Sequence, residues 1–195
     1  MPVTALDPRT ALVVIDLQKG LASYPTVHPF AGVIASTVKL AAAFRRATLP
    51  VVLVTVSPAA DGGGMVQTRT EAPARVRSFP PDFAELVPEL AGHATDLLVV
   101  KRNPSAFYGT DLDLQLRRRQ ITGIVLTGVS TSSGVEATAR AAHERAYNLT
   151  FASDGITDTD PEAHDFVLRK TFPKLGEVGT ADEILAFLER PDRRS

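Results

Sequence analysis

Short apolar runs rich in β-branched residues alternate with longer amphipathic stretches along this chain, and no other feature constrains its fold as tightly. Residues 11–15, 51–56, 97–100, 124–127 and 149–152 are predominantly apolar and of strand length. Runs of this kind suit strands buried on both faces, as a parallel sheet requires. A weaker sixth run lies near Glu177-Val178. Between the runs, Phe30, Val33, Ile34, Thr37, Val38, Ala41 and Phe44 fall on one face at helical spacing, with Pro50 punctuating the exit. Thr110 with Asp113 resembles a capping box opening a helix through Arg119, residues 134–147 are alanine-rich, and Pro161 suits the first position of a helix running toward Phe172. Thr180 with Glu183 forms a second capping-box pattern, before a terminal helix ending near Arg190. Repeated strand–helix alternation predicts right-handed βαβ units in a three-layer α/β/α domain. No linker or internal repeat divides the chain, so residues 1–195 read as one domain.

One segment breaks the rhythm. Residues 57–83 hold Gly62, Gly63 and Gly64 in a row, with Pro58, Pro73, Pro80 and Pro81. A connection this long serves as a functional lid, as an oligomer contact, or stays partly disordered.

Composition narrows the function classes. A formal net charge of −1 gives no global field favouring nucleic acid or an acidic membrane surface. No apolar run approaches the roughly 20 residues of a spanning helix. The Met-Pro-Val-Thr start lacks a basic segment followed by an apolar one, so a cytoplasmic location is expected. The cysteine count is zero, which removes disulfides, thiolate metal sites and a thiol nucleophile together. The four histidines, at 28, 93, 143 and 164, form neither H-x-H nor H-E-x-x-H spacing. No metal and no cofactor is therefore expected. Arg117-Arg118-Arg119 reads as the positive end of a helix, where charge complements the dipole.

In open α/β sheets, ligands bind beyond the carboxyl ends of the strands. The first run ends in Asp16, the second in Ser57-Pro58, the third in Lys101, and the fourth enters a turn spanning 128–134 that is rich in glycine and hydroxyls. A carboxylate directly after an apolar run is at least half buried and needs a partner, for which Lys101 is placed. Asp16 then serves either as an acid/base tuned by burial or as a helix cap or structural ion pair. The 128–134 turn precedes a helix, so its amides suit an anion or a developing oxyanion. It matches neither the P-loop nor G-x-G-x-x-G.

At these residues the chain resembles the isochorismatase-like hydrolase superfamily, which includes nicotinamidases, N-carbamoylsarcosine amidohydrolases and isochorismatases. Ala11-Leu-Val-Val-Ile-Asp-Leu-Gln18 is similar to the family's opening strand and its aspartate. Val99-Val-Lys101 with Ser105-Ala-Phe107-Tyr-Gly-Thr-Asp-Leu112 is similar to the lysine strand and its following turn. Gly128-Val-Ser-Thr-Ser-Ser-Gly-Val-Glu-Ala-Thr-Ala-Arg140 is similar to the nucleophile block. The resemblance implies a six-stranded parallel sheet in order 3-2-1-4-5-6 and a cis peptide at Val129–Ser130 that aims the Ser130 and Gly134 amides at a substrate oxygen. It implies Asp16, Lys101 and Gly134 at the catalytic positions, with Ser57, Phe107, Ser130, Thr131 and Ser133 as candidate substrate contacts. Amidohydrolase members carry cysteine where this chain has Gly134, so their acyl-enzyme route is closed here. Ser133 is adjacent but points elsewhere. Isochorismatases also have glycine at that point, and their aspartate protonates a vinyl ether that water then cleaves. They carry a glutamine beyond strand two, however, where this chain reads Ser57-Pro58. A cysteine-less group with a Gly-Val-Glu-x-Thr-Ala-Arg motif is the most similar. A small-molecule hydrolase using Asp16 and Lys101 is the first expectation, and a catalytically inactive small-molecule-binding protein is the second. As family members are often oligomeric, a homodimer or homotetramer is expected.

Overall fold

All six runs pair in one sheet. In the computed structural model, which describes residues 3–66, 68–71 and 79–189, the strands are β1 (Thr10–Ile15), β2 (Val51–Val56), β3 (Leu97–Lys101), β4 (Gly123–Val129), β5 (Asn148–Thr157) and β6 (Glu177–Gly179). Every pairing is parallel and the order is β3-β2-β1-β4-β5-β6. Helices α1 (Lys19–Ala22), α2 (Phe30–Arg46), α3 (Leu112–Arg118), α4 (Glu136–Glu144), α5 (Pro161–Phe166) and α6 (Ala181–Leu188) lie in the connections. Pro73 and Arg190, to which the sequence assigned a loop and a helix end, lie outside the described residues. None of the described helices is long and apolar enough to cross a membrane.

The period-2 geometry of β1 explains why its run is apolar throughout. Ala11, Val13 and Ile15 face a layer built with Leu112 and Leu116 of α3 and Ala139 and Ala142 of α4. Leu12 and Val14 face the opposite layer, with Leu40, Ala41 and Phe44 of α2 and Ile184 of α6. Each fully buried Leu, Ile, Val or Phe side chain among these contributes about 1.5–3 kcal/mol. Both faces of β1 are thus covered, as parallel strands require.

Three elements differ from the sequence reading. β5 continues past Ala152 to Thr157, because Ser153, Asp154 and Gly155 form a register shift opposite β4 between Leu126 and Gly128. That polar interruption ended the apolar run without ending the strand. The Thr110–Asp113 capping box is absent: Asp111 is the cap residue and makes no side-chain cap bond. Thr110 Oγ1 instead accepts from the Leu112 amide (3.2 Å) and donates to the Ala106 carbonyl (2.6 Å), which satisfies the helix start from one residue upstream. The long helix from Pro161 changes winding, with a π turn at Val167–Thr171 and a 3-10 turn at Phe172–Lys174 after α5. At Thr180 the expected capping box is present in full.

The strand order reverses between β1 and β4. Their carboxyl ends therefore flank the crevice where open α/β sheets place ligands. Gly128 makes that junction possible. Its φ is +112°, and a Cβ there would lie 1.9 Å from the Ile15 carbonyl oxygen, so only glycine permits β1 and β4 to approach this closely.

Candidate active site

Asp16 is the first residue beyond β1 and lies in the left-handed region at φ +55°, a conformation that aspartate tolerates better than most residues. Its amide donates to the Val54 carbonyl (2.9 Å) on β2, while its carbonyl accepts from the Gln18 amide (2.9 Å). Gln18, fully buried, ties the loop down further. Its Nε2 donates to the Val56 (3.1 Å) and Phe83 (2.8 Å) carbonyls, and its Oε1 accepts from the Val56 amide (2.8 Å). The sequence did not mark this clamp as a site feature, although Asp16-Leu-Gln18 closes the segment similar to the family's opening strand.

The Asp16 carboxylate is 5% exposed and Lys101 is 2% exposed. Lys101 Nζ lies 2.7 Å from Asp16 Oδ2, whereas Oδ1 is buried without a hydrogen-bond partner. Burial pushes the Asp16 pKa up to about 6 against the opposing attraction and hydrogen bond of Lys101. The native carboxyl thus holds its proton to about 6, while the free side chain releases it near 3.8. Within that window the folded state binds the extra proton, so the linked stability is complete below the lower value and is lost as pH rises through about 6. The difference is on the order of 3 kcal/mol. Urea unfolding of the wild-type chain and Asp16→Asn at pH 4, 5, 6 and 7 is expected to show this loss in the wild type only.

The turn after β4 completes the group. The Val129–Ser130 peptide is cis, and a π turn covers Thr131–Val135, with the Val135 amide donating to the Ser130 carbonyl (3.1 Å). A Cβ built on buried Gly134 would sit 3.3 Å from Asp16 Oδ2, 3.2 Å from the Val129 carbonyl oxygen and 3.1 Å from Ile15 Cγ2. Position 134 therefore adjoins the Asp16 carboxylate directly. The Gly134 carbonyl accepts from Thr138 Oγ1 (2.7 Å), which in turn accepts from the Ala106 amide (3.0 Å), so the turn is fixed to the segment following β3.

The other candidates are distributed as follows. Ser57 sits at the same sheet edge, its amide donating to the Lys101 carbonyl (3.1 Å). Ser130 is partly exposed and Ser133 exposed. Thr131 is buried, and its hydroxyl lies 2.7 Å from Nδ1 of His164. Phe107 is buried with its ring 6.0 Å from that of Tyr147 and 5.0 Å below the Arg145 guanidinium. The Tyr147 hydroxyl in turn donates to Asp113 Oδ1 on α3 (2.9 Å), so Phe107 joins the packing around α3 and Tyr147. Two residues not proposed as site residues from the sequence also hold the turn. Asp158 Oδ2 accepts from the amide (2.7 Å) and hydroxyl (2.8 Å) of Ser132, and His164 contacts Thr131 as above.

Comparison with known proteins gives a consistent result. A profile of the Isochorismatase domain matches residues 10–183. The uncharacterized isochorismatase family protein YecD of Escherichia coli O157:H7 is 40% identical over 186 residues, covering 92% of this chain and 96% of that protein. An isochorismatase family protein from Burkholderia thailandensis has a similar structure at a TM-score of 0.92 with 43% identity, covering 97% of this chain and 99% of that one. A cysteine hydrolase from Pseudomonas syringae pv. phaseolicola superposes at a TM-score of 0.82 with 28% identity, covering 96% of each chain.

Proposed function

This chain belongs to the isochorismatase family, and from that premise we propose that it hydrolyses a small molecule by acid–base chemistry at Asp16 and Lys101, without a nucleophilic side chain at position 134. One observation carries the reading. Asp16 is a buried carboxyl that stays protonated to about 6, with one oxygen on Lys101 and the other unpartnered. A carboxyl so tuned is a competent general acid near neutral pH.

In this reading Asp16 gives its proton to the substrate. The adjacent Lys101 ammonium stabilises the carboxylate that remains. Water adds to the activated carbon and returns a proton to Asp16, and the adduct collapses by breaking the bond from that carbon to the leaving group, which departs with a proton. The Ser130 and Gly134 amides are the groups assigned to a substrate oxygen, with Ser57, Thr131 and Ser133 around them. Two features support the assignment of Gly134 to the position that holds sulfur in thiol members: its place in the block from Gly128 to Arg140, and the 3.3 Å that would separate a Cβ at that position from Asp16 Oδ2. With no cysteine in the chain, no thioester can form.

The test is a panel of small vinyl ethers, esters and amides, followed by turnover in ¹⁸O-labelled water. The expected result is direct incorporation of solvent oxygen into product, with no mass adduct on protein quenched during turnover. A covalent adduct, on Ser133 for example, would overturn the reading.

One observation favours the second reading, a binding protein without chemistry. Asp16 and Lys101 are almost fully covered, and Oδ1 has no accessible surface. Tight binding of a small carboxylate, unaltered on long incubation and insensitive to Asp16→Asn, would establish that reading instead.

A further inference from the structure

The 130–135 turn and the loop entering α2 are both fastened to the same short segment. Asp158, 3% exposed, holds Ser132 through Oδ2, and its Oδ1 accepts from the Thr159 amide (2.7 Å). Its backbone carbonyl accepts from the Val27 amide (2.8 Å). Next to it, the Thr157 hydroxyl accepts from the His28 amide (3.1 Å). Six residues further on, His164 is 2% exposed and contacts Thr131, while its ring meets that of His28 edge-on at a centroid distance of 5.0 Å. Two imidazoles this close, one of them buried, do not both carry charge without repulsion.

We propose that His28, Asp158 and His164 form a proton-sensitive latch: positioning residues that hold the Ser130–Gly134 turn and the loop before α2 together while the histidine pair carries at most one charge. The latch rests on the reading of that turn as part of the site. Burial, and then His28, hold the His164 pKa below the ordinary histidine value, against Asp158 and Asp165. The turn meets the ring through the Thr131 hydroxyl, and the titratable group packed against its other end, at Gly134, is Asp16. Asp165 lies at the surface, 3.5 Å from Arg169, whereas Asp158 is the counter-charge that also touches the turn. Entry of a second proton sets the two rings against one another. The loop at Val27–His28 and the turn at Thr131–Ser132 then loosen together.

The test is an NMR titration from pH 7.5 to 5 of the full-length Asp16→Asn chain, in which the carboxyl that titrates at about 6 beside Gly134 no longer contributes, following the imidazole and backbone amide signals. The histidine variants are made in the same chain. The expected result is a His164 midpoint below about 6.5, with the Val27, His28, Thr131 and Ser132 amides moving in one transition that follows His164. In His28→Gln the His164 midpoint is expected to rise toward the ordinary value. In His164→Asn, which retains a polar contact to Thr131 without a titrating group, the Thr131 and Ser132 amides are expected to lose that transition. An unchanged His164 midpoint in His28→Gln would overturn the latch. So would a Thr131–Ser132 transition that persists in His164→Asn. None of these signals requires turnover, so a failed hydrolase assignment leaves the result readable on its own.

Discussion

Asp16→Asn is expected to lower turnover by about 10²–10⁴-fold, the range for loss of a positioned general acid, while the protein remains folded. The same change is expected to raise stability at neutral pH by up to about 3 kcal/mol, because it replaces a desolvated carboxylate by a neutral group of the same shape. Burial disfavours the charge at position 16 more strongly than Lys101 favours it. Under the proposed function the site keeps its acid at a cost in stability, a trade-off that functional residues commonly show. Paired kcat/KM and urea-midpoint measurements check both halves. A variant with unaltered turnover would remove Asp16 from the chemistry. One that is both inactive and strongly destabilised would make the carboxylate a structural ion pair.

Gly128→Ala is expected to have the largest effect on folding. The added methyl group would meet the backbone of Ile15, at 1.9 Å from its oxygen and 2.7 Å from its carbonyl carbon and amide nitrogen. No flexible side chain can yield there, because both partners are main chain in the register pair Ile15↔Gly128. The φ of +112° adds conformational strain for any L side chain. A loss of about 4 kcal/mol or more is expected, a large part of the roughly 5–15 kcal/mol that holds a domain together. Gly32→Ala is the control. Position 32 lies within α2 and its added methyl group meets nothing within 4 Å, so a gain of about 0.5–1 kcal/mol is expected. Thermal unfolding of the two variants beside the wild type gives both signs.

The sheet was legible from the sequence because burial on both faces forces whole strands to be apolar. The run at 11–15 shows this in β1, whose six residues are all buried. Asp16 and Lys101 were legible for the same reason, since each ends such a run with a charge. What escaped the sequence depended on contacts between distant residues. The extension of β5 is hidden behind Ser153-Asp154-Gly155, a polar register shift that only its pairing with β4 explains. Thr110 has the right chemistry for a cap but sits one residue early, and its hydroxyl turns back to Ala106. His164 carries no motif spacing in the sequence. Its contact with Thr131 spans 33 residues and leaves no local periodicity to read. The requirement for glycine at 128 is likewise set by β1, more than a hundred residues upstream.

The pH dependence of kcat/KM, with whichever panel compound is turned over, tests Asp16 as the general acid. General-acid catalysis requires the protonated form of Asp16, so the rate is expected to fall as pH rises through about 6. Removing Lys101 in Lys101→Met takes away the charge that holds this pKa down, so that variant's residual rate is expected to fall at a higher pH. A rate that instead increases through 6, or stays flat from pH 5 to 8, would contradict Asp16 as the acid.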